Sequence, residues 1–343
     1  MQAFSHRTVS LYDSGLIVSR RQSVRMIGGL PAAAALAGCE SILGGLSDTC
    51  PGSPAEGLDV NWIADVAHPV AAGSVDIQGV PGSHRTMAIH YPAYHPQPVF
   101  EASFSTSPVL KPPPMLRLCG VRYPVILFLH GNGPSPVSLT YQKWRRLPAA
   151  LARSGYIVVV PSHSGDRTFS QAHVDAAQRD LEWVRSGWDQ SNWVSKRPQF
   201  GVAGHSNGAL QAFYLALRLP EVISFALLSA NLAGDTFFFS EVVQEVVELA
   251  TPKSFVWARN DNAENFAGYW TPLKGPKYEI AYDGRHFDYF DPEDSPTYWS
   301  RGPCDKIRVL APELVALFFA STFISHTQVP TDLRTPHVVL STA

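Results

Sequence analysis

The sequence predicts an α/β protein with a mostly parallel central sheet and helices on both faces. Three observations support this fold class. Hydrophobic residues make up 45% of the 343 residues and charged residues 16%, which is the balance of a globular protein with a sizeable core. Short runs such as Val125 to Leu129 are apolar at every position, as buried parallel strands are. These runs alternate with helix-like stretches over about 200 residues, as strand–helix–strand units do.

The elements can be placed along the chain from these patterns. The predicted strands are Arg85 to Tyr91, Val125 to Leu129, Tyr156 to Val160, Phe200 to Ala203, Phe225 to Leu228, Phe255 to Trp257 and Tyr278 to Ala281. The predicted helices are Val174 to Trp188, Ala209 to Leu219, Phe237 to Ala250 and Lys306 to Phe323. Prolines crowd residues 92–120, which predicts a long surface loop because proline interrupts helices and interior strands.

Composition and charge exclude several classes of protein. The 27 Lys and Arg residues are balanced by 29 Asp and Glu, so the formal charge is −2. That balance excludes a disordered chain, a coiled coil and a strongly basic nucleic-acid binder, and we expect no nucleic-acid partner. No run approaches the ~20 uncharged apolar residues of a membrane-spanning helix. The H-E-x-x-H and C-x-x-C spacings of metal sites are absent, so we expect no metal and no cofactor.

The first residues read as an export signal. Arg20-Arg21 resembles the paired arginines of a twin-arginine signal, and the uncharged run Met26 to Gly38 is too short to span a bilayer. The run ends in Leu36-Ala37-Gly38-Cys39, which resembles a bacterial lipobox with Cys39 as the lipidated residue. The sequence therefore predicts a protein exported to the cell envelope, lipid-anchored on the periplasmic or extracellular side. A buried Ala-rich helix is the alternative for this run.

The predicted domain organisation follows from this signal. We expect an export signal over residues 1–38, a Gly-, Ser- and Pro-rich tether over 39–70, one catalytic domain over 71–326 and a C-terminal tail over 327–343. In this arrangement the only membrane contact is the lipid at Cys39, and we expect a monomer. An exported protein can pair two of its cysteines, and the sequence leaves three pairs open among Cys50, Cys119 and Cys304, with Cys119–Cys304 favoured.

A short glycine-rich motif predicts the catalytic nucleophile. Gly204-His205-Ser206-Asn207-Gly208 fits G-x-S-x-G, and it lies between a predicted strand and a predicted helix. That setting is the sharp turn that lifts a serine hydroxyl above a sheet, at a helix N-terminus that favours a developing anion. We therefore assign Ser206 as the nucleophile. An ordinary serine in a glycine-rich turn is the alternative.

A serine hydroxyl needs a base to accept its proton, and the base needs an acid to orient it. His286 follows the predicted strand Tyr278 to Ala281 and is the expected base, whereas His326 and His337 lack a strand-end setting. Asp261, in a polar turn after the strand Phe255 to Trp257, is the expected acid. Three other carboxylates compete for that role: Asp235, Glu264 and Asp283.

The loop after the first buried strand predicts the oxyanion hole. His130-Gly131-Asn132-Gly133 follows Val125 to Leu129, where backbone N–H groups can face the nucleophile. The expected donors are the N–H groups of Asn132 and Asn207, the second of which directly follows the nucleophile. His130 precedes the serine, which is the wrong order for the base, so we interpret it as structural.

Taken together, these motifs resemble the α/β-hydrolase superfamily over about residues 75–325. The narrower resemblance is to its dienelactone-hydrolase-like, chlorophyllase-like, platelet-activating-factor-acetylhydrolase-like and cutinase/polyester-hydrolase-like esterases. The Arg85 to Pro92 and Gly155 to Pro161 segments carry that narrower match. The resemblance implies a serine esterase that acts through Ser206, His286 and Asp261. The short distance along the chain between Asn231 and Phe255 leaves room for little or no lid.

The predicted function is hydrolysis of small carboxylic esters through an acyl-enzyme. Two alternatives stay open at this point. The first is a non-catalytic binding protein built on a hydrolase scaffold. The second is an amidase, acyltransferase or C–C hydrolase that uses the same triad.

Overall fold

The structure is a computed structural model, and it describes only part of the chain. The described residues are 70–77, 86–94, 115, 122–131, 146–162, 170–230, 245, 247–258, 273–282, 314–316, 318–323, 332–334 and 338–342. The predicted export signal, Cys39 and the other cysteines lie outside these residues, and so do Asn132, Asp261 and His286. The predicted absence of a lid also concerns residues outside them, since 231–244 are not described.

The described strands form one ten-stranded sheet in the order β1-β2-β4-β3-β5-β6-β7-β8-β10-β9. The strands are β1 Val70–Ile77, β2 Met87–Tyr94, β3 Val125–Leu129, β4 Ile157–Pro161, β5 Phe200–His205, β6 Val222–Leu228, β7 Lys253–Ala258, β8 Lys277–Tyr282, β9 Asp332–Arg334 and β10 Val338–Thr342. The inner strands from β4 to β8 are parallel, and antiparallel strands flank them on both sides. The expectation of a mostly parallel central sheet is confirmed.

The described helices lie between the parallel strands. They are α1 Arg146–Arg153, α2 Gln171–Ser186 and α3 Asn207–Arg218, with a short 3-10 helix at Ser191–Trp193. Residues 314–316 and 318–323 are also helical and are called the C-terminal helix below. No helix among the described residues is long and apolar enough to cross a bilayer.

Alternate residues of the inner strands pack against helices on opposite faces. Val125, Leu127 and Leu129 of β3 share a core with apolar residues of α2 and α3. Ile126 and Phe128 share the other core with residues of α1 and the C-terminal helix. Side chains alternate across a strand, so a strand buried on both faces must be apolar at every position. The predicted placement of helices on both faces is therefore confirmed.

The predicted C-terminal tail needs a correction. Within residues 327–343, β10 pairs antiparallel with β8, Val338 opposite Tyr282, and β9 pairs with β10, Val339 opposite Arg334. The short apolar stretch Val338 to Leu340 is enough for a strand once a neighbouring edge supplies hydrogen-bonding partners. This segment therefore belongs to the sheet.

The predicted proline-rich loop starts later than expected. Pro92 lies in β2 opposite Ala72 of β1, and Met115 forms an isolated bridge with Ala93. β4 pairs only with residues 87–90 of β2, so Pro92 stands beyond the part of the strand that has neighbours on both sides. Proline is tolerated there because it interrupts no ladder to β4.

A lysine at the start of β7 is buried. Lys253 has no exposed surface, and its Nζ donates hydrogen bonds to the carbonyls of Leu249, at 2.8 Å, and Lys274. Burial, together with the nearby charge of Lys277, lowers the pKa of Lys253 from 10.5 to about 8. The folded chain therefore binds this proton more weakly than the unfolded chain.

The contribution of Lys253 to stability should consequently rise with pH. Between about pH 8 and 10.5 the unfolded chain holds the Lys253 proton and the folded chain releases it, so this contribution to the free energy of unfolding increases across this range. Replacing Lys253 by Met removes this contribution. Urea unfolding at about pH 7 and about pH 10 should show the wild type gaining about 1–3 kcal/mol relative to the variant. Parallel pH profiles of the two proteins would contradict the assignment.

Candidate active site

Ser206 lies in the turn that joins β5 to α3, at the carboxyl edge of the parallel strands. This edge is where ligands bind in open α/β sheets. The side chain is half-buried, whereas His205 and Asn207 on either side are buried. The motif therefore has the strand–turn–helix setting that the sequence predicts.

The backbone of Ser206 is held in a strained conformation. Its φ of 54° and ψ of −120° lie outside the regions that side-chain-bearing residues prefer. Such a residue costs about 1–3 kcal/mol and persists only where its surroundings enforce it. Here its N–H donates to the Leu228 carbonyl of β6 at 2.9 Å, and its carbonyl accepts from the N–H of Ala209 at 3.0 Å. The turn is thus pinned to the neighbouring strand and to the first turn of α3.

The two glycines at the ends of the motif allow backbone segments to come into contact. A Cβ at Gly204 would lie 2.1 Å from the carbonyl oxygen of Gly208, and a Cβ at Gly208 would lie 2.1 Å from that of Leu129. Both distances are far below contact, and the atoms met are backbone atoms that cannot swing aside. Glycine is therefore required at both positions for α3 to pack against the ends of β3 and β5.

The end of β3 lies directly against the nucleophile turn. A Cβ at Gly131 would be 2.9 Å from the Cβ of Ser206. His130 is buried, and its Nδ1–H donates to the Gly131 carbonyl at 2.9 Å, which fixes the direction of that carbonyl. The predicted oxyanion loop therefore starts beside Ser206. Asn132, its expected donor, lies outside the described residues.

Asn207, the second expected donor, is the first residue of α3. The first N–H groups of a helix have no acceptor within the helix, so the backbone N–H of Asn207 is available to a substrate oxygen. The positive end of the helix dipole at this position favours negative charge. Asn207 is 9% exposed, and its Nδ2 is buried and has no hydrogen-bond partner within the part of the chain that the structure describes.

The strands that precede the predicted acid and base lie on one side of β5 in the sheet. From β5 outward, the sheet continues with β6, β7 and β8, all parallel. Asp261 follows β7 in the sequence and His286 follows β8, so both come after strands whose carboxyl ends share the edge of Ser206. The competing Asp235 follows β6. These three side chains lie outside the described residues, and their roles stay predictions.

A second serine near the turn was not anticipated from the sequence. Ser229, immediately after β6, is fully buried and also has a positive φ, 44°, and its N–H donates to the carbonyl of Val256 at 2.8 Å. Among the described non-glycine residues, Ser206 and Ser229 are the ones with positive φ. No local motif marks Ser229, because its conformation follows from contact with β7.

Comparison with known proteins agrees with this geometry. The protein-family model described as Chlorophyllase matches residues 102–236, a segment that contains the strands β3 to β6, Ser206 and all of α3. That family has the α/β-hydrolase fold. The chain has the α/β-hydrolase fold. The match covers less than half of the chain and ends before Asp261 and His286.

At a coarse level, the match of this α/β-hydrolase domain to an esterase family indicates a hydrolase of the carboxylesterase type. A search of the curated proteins found no match. Within the described residues no group of His, Cys, Asp and Glu side chains is arranged to hold a metal ion.

The close packing around the turn gives a test that needs no substrate. Gly204→Ala should lower the free energy of unfolding by about 3 kcal/mol or more, because the added methyl meets backbone at 2.1 Å. Gly201→Ala in the same strand is the matched control. Its Cβ would meet ring atoms of Phe319 at 2.7 Å, and a side chain can shift, so we expect a loss of about 1–2 kcal/mol. Equal losses in urea unfolding would contradict this account of the turn.

Proposed function

We propose that the protein is a serine hydrolase that cleaves carboxylic esters through an acyl-enzyme. The observation that carries this proposal is the strained backbone of Ser206 at a strand–helix turn, pressed against Gly131 at the end of β3. Strain of this kind concentrates at functional sites. It holds the hydroxyl at the sheet edge, beside the segment where oxyanion donors are expected.

The proposed reaction has two halves. Ser206 Oγ attacks the ester carbonyl carbon while His286 accepts the hydroxyl proton, and His286 then gives that proton to the departing alcohol oxygen. Water attacks the acyl-enzyme in the same way, with His286 again as base, and releases the carboxylic acid and free Ser206. Asp261 holds the imidazole in the required tautomer and stabilises the imidazolium.

Charge that develops on the carbonyl oxygen is stabilised by the backbone N–H groups of Asn132 and Asn207. Loss of one such donor typically costs about 2.7–4 kcal/mol of the barrier. Placement of the Asn207 N–H at the start of α3 supports its role, since the helix dipole adds to the same effect. No cofactor enters this mechanism.

The cellular setting is part of the same proposal. The protein is exported and anchored through a lipid on Cys39, with residues 39–70 as the tether between lipid and enzyme. Its substrate is a small ester that reaches the site from the surrounding solution, and the enzyme acts as a monomer.

Replacing the nucleophile is the direct test. Ser206→Ala should lower kcat for p-nitrophenyl butanoate by about 10³-fold or more, because the covalent route is lost. It should also abolish labelling by a fluorophosphonate probe. Ser186→Ala is the matched control, since this exposed hydroxyl bonds only the Glu182 carbonyl of its own helix, and its activity should equal that of the wild type. Labelling that survives in Ser206→Ala would refute the proposal, and a non-catalytic binding protein would not be labelled at all.

A pair of carboxylate variants tests the identity of the acid. Asp261→Asn should lower kcat by about 10⁴-fold, since an amide stabilises the wrong imidazole tautomer. Asp235→Asn, which changes the competing carboxylate after β6, should keep kcat within about tenfold of the wild type. The measurement is steady-state ester hydrolysis with thermal unfolding as the control for folding. The opposite ranking would move the acid to Asp235.

A further inference from the structure

The amino ends of the inner strands carry a group of cationic side chains. Arg122 precedes β3, and Arg185 lies in the last turn of α2. Lys196 and Arg197 precede β5. These four residues are called the basic cluster below. Because β3 and β5 are parallel, the segments before them lie at the edge of the sheet opposite Ser206, which follows β5.

Backbone hydrogen bonds bring Arg122 and Lys196 together. The N–H of Tyr123 donates to the carbonyl of Trp193 at 2.8 Å, and the N–H of Ser195 donates to the carbonyl of Tyr123 at 2.9 Å. The segment before β3 therefore runs alongside the segment before β5. Arg122 and Lys196 each directly adjoin a residue of this paired region.

Side-chain hydrogen bonds bring Arg185 into the same group. Its guanidinium donates to the carbonyls of Pro198 and Gln199, at 3.0 and 3.2 Å, just before β5. Lys196 Nζ donates to the carbonyl of Arg185 and, at 2.8 Å, to that of Ser191. The end of α2 and the start of β5 are thus joined through their cationic residues.

The charges in the basic cluster act on one another. Burial and the nearby charges of Arg122 and Arg185 lower the pKa of Lys196. Burial also lowers the pKa of Arg185, and the charge of Glu221 acts in the opposite direction. Three cations and one carboxylate therefore interact here, which leaves an excess of positive charge.

Part of this positive surface reaches solvent. Lys196 and Arg197 are exposed. Arg153, at the end of α1 just before β4, is exposed at the same edge. Since β4 lies next to β3 and β2, Arg153 extends the positive surface from the basic cluster toward β2 and β1.

The predicted tether enters the domain at this same edge. β2 runs antiparallel to β4, and its first residue, Met87, lies opposite Pro161 at the carboxyl end of β4. β2 therefore ends at the amino edge, where Tyr94 pairs with Val70, the first residue of β1. Three steps between neighbouring strands separate β1 from β3, which is about 15 Å across the sheet.

We propose that the basic cluster docks the domain on the anionic headgroups of a lipid bilayer, with Ser206 facing away from the membrane. The cations and the end of the tether share one edge of the sheet, and the nucleophile lies at the other. This inference rests on the proposed cellular setting, in which residues 39–70 link the enzyme to a lipid on Cys39. It adds a second membrane contact to that setting.

The net charge of −2 does not oppose such a contact. Attraction to an anionic surface falls off within a Debye length, about 8–10 Å at 0.10–0.15 M salt. Carboxylates at the far edge of the sheet are therefore screened from the bilayer. Each Lys or Arg close to an anionic surface strengthens binding about fivefold.

Chemical footprinting of the full-length protein on vesicles tests the docking. Phenylglyoxal modifies arginine side chains, and mass spectrometry measures Arg197 and Arg179 separately. Arg179 is the matched control, because it is also exposed but lies in the middle of α2, about 9 Å along the helix from Arg185. Protection is measured at each side chain, so it does not depend on how the N-terminal segment attaches to the vesicle.

The expected result is protection of one arginine on one kind of vesicle. With equal parts of phosphatidylglycerol and phosphatidylcholine, modification of Arg197 should be about fivefold slower or more than with phosphatidylcholine alone. Modification of Arg179 should change by less than about twofold. Salt at about 1 M should remove the protection, since the Debye length is then about 3 Å.

Two charge reversals test whether the cluster causes the docking. Arg197→Glu and Arg179→Glu change the net charge equally, and both side chains are exposed. Arg197→Glu should reduce the protection of Arg153 about threefold or more, whereas Arg179→Glu should preserve it. Thermal unfolding midpoints close to that of the wild type would show that both variants are folded.

The outcomes separate this inference from the proposed function. Equal modification of Arg197 on both vesicles overturns the inference, and so does equal protection of Arg179, which would indicate contact without orientation. Protection of Arg197 by poly-glutamate and not by vesicles would assign the cluster to an acidic protein partner and also overturn it.

Fluorophosphonate labelling tests the orientation of the site. Labelling of Ser206 should proceed at the same rate on phosphatidylglycerol vesicles as in solution, because the nucleophile faces away from the bilayer. Labelling that is blocked only on these vesicles overturns the orientation. Absence of labelling in solution as well overturns the proposed function and leaves the footprint of Arg197 as independent evidence of docking.

Discussion

Contact between bare backbone segments at the ends of β3, β5 and α3 is the constraint on which the site depends. Gly204 and Gly208 bring these segments to distances that any side chain would prevent. That approach places the start of α3 under the carbonyls of β3 and leaves Ser206 in a conformation it would not adopt alone. A hydrogen bond from the Ser206 N–H to the Leu228 carbonyl, and one from the Ala209 N–H to the Ser206 carbonyl, then hold the turn. The position of Ser206 is therefore set by the interior of the sheet, where close packing resists displacement.

The interior of the sheet could be predicted from the sequence because its signal is local. Strands such as β3 and β4 are buried on both faces, and a run that is apolar at every position has few other interpretations. The flanking strands carry no such signal. β1 mixes glycine, serine and aspartate with apolar residues, and β9 has only Asp332, Leu333 and Arg334. Each becomes a strand by pairing with the next strand along the chain, β1 with β2 and β9 with β10, and the composition of the strand itself does not record that pairing.

The candidate site divides in the same way. The motif around Ser206 could be recognised because the close backbone contacts of the turn require glycine at fixed positions in the sequence. The positive φ of Ser229 and the burial of the Asn207 amide could not be recognised, since each depends on what packs against the residue from elsewhere in the chain. Asp261 and His286 were assigned by chain order after strands, and the order β5 to β8 in the sheet is compatible with that assignment.

The strained turn has one more consequence. Among the described residues, the hydrogen bonds and close contacts that hold the Ser206 backbone come from backbone atoms and neighbouring glycines. The backbone therefore fixes the position of the nucleophile, and the side chain at residue 206 fixes its chemical type. A thiol or a carboxylate on the same Cα would be presented at the same point above the sheet. Replacing the side chain at this position need not disturb the backbone beneath it. The same turn can therefore hold different reactive side chains.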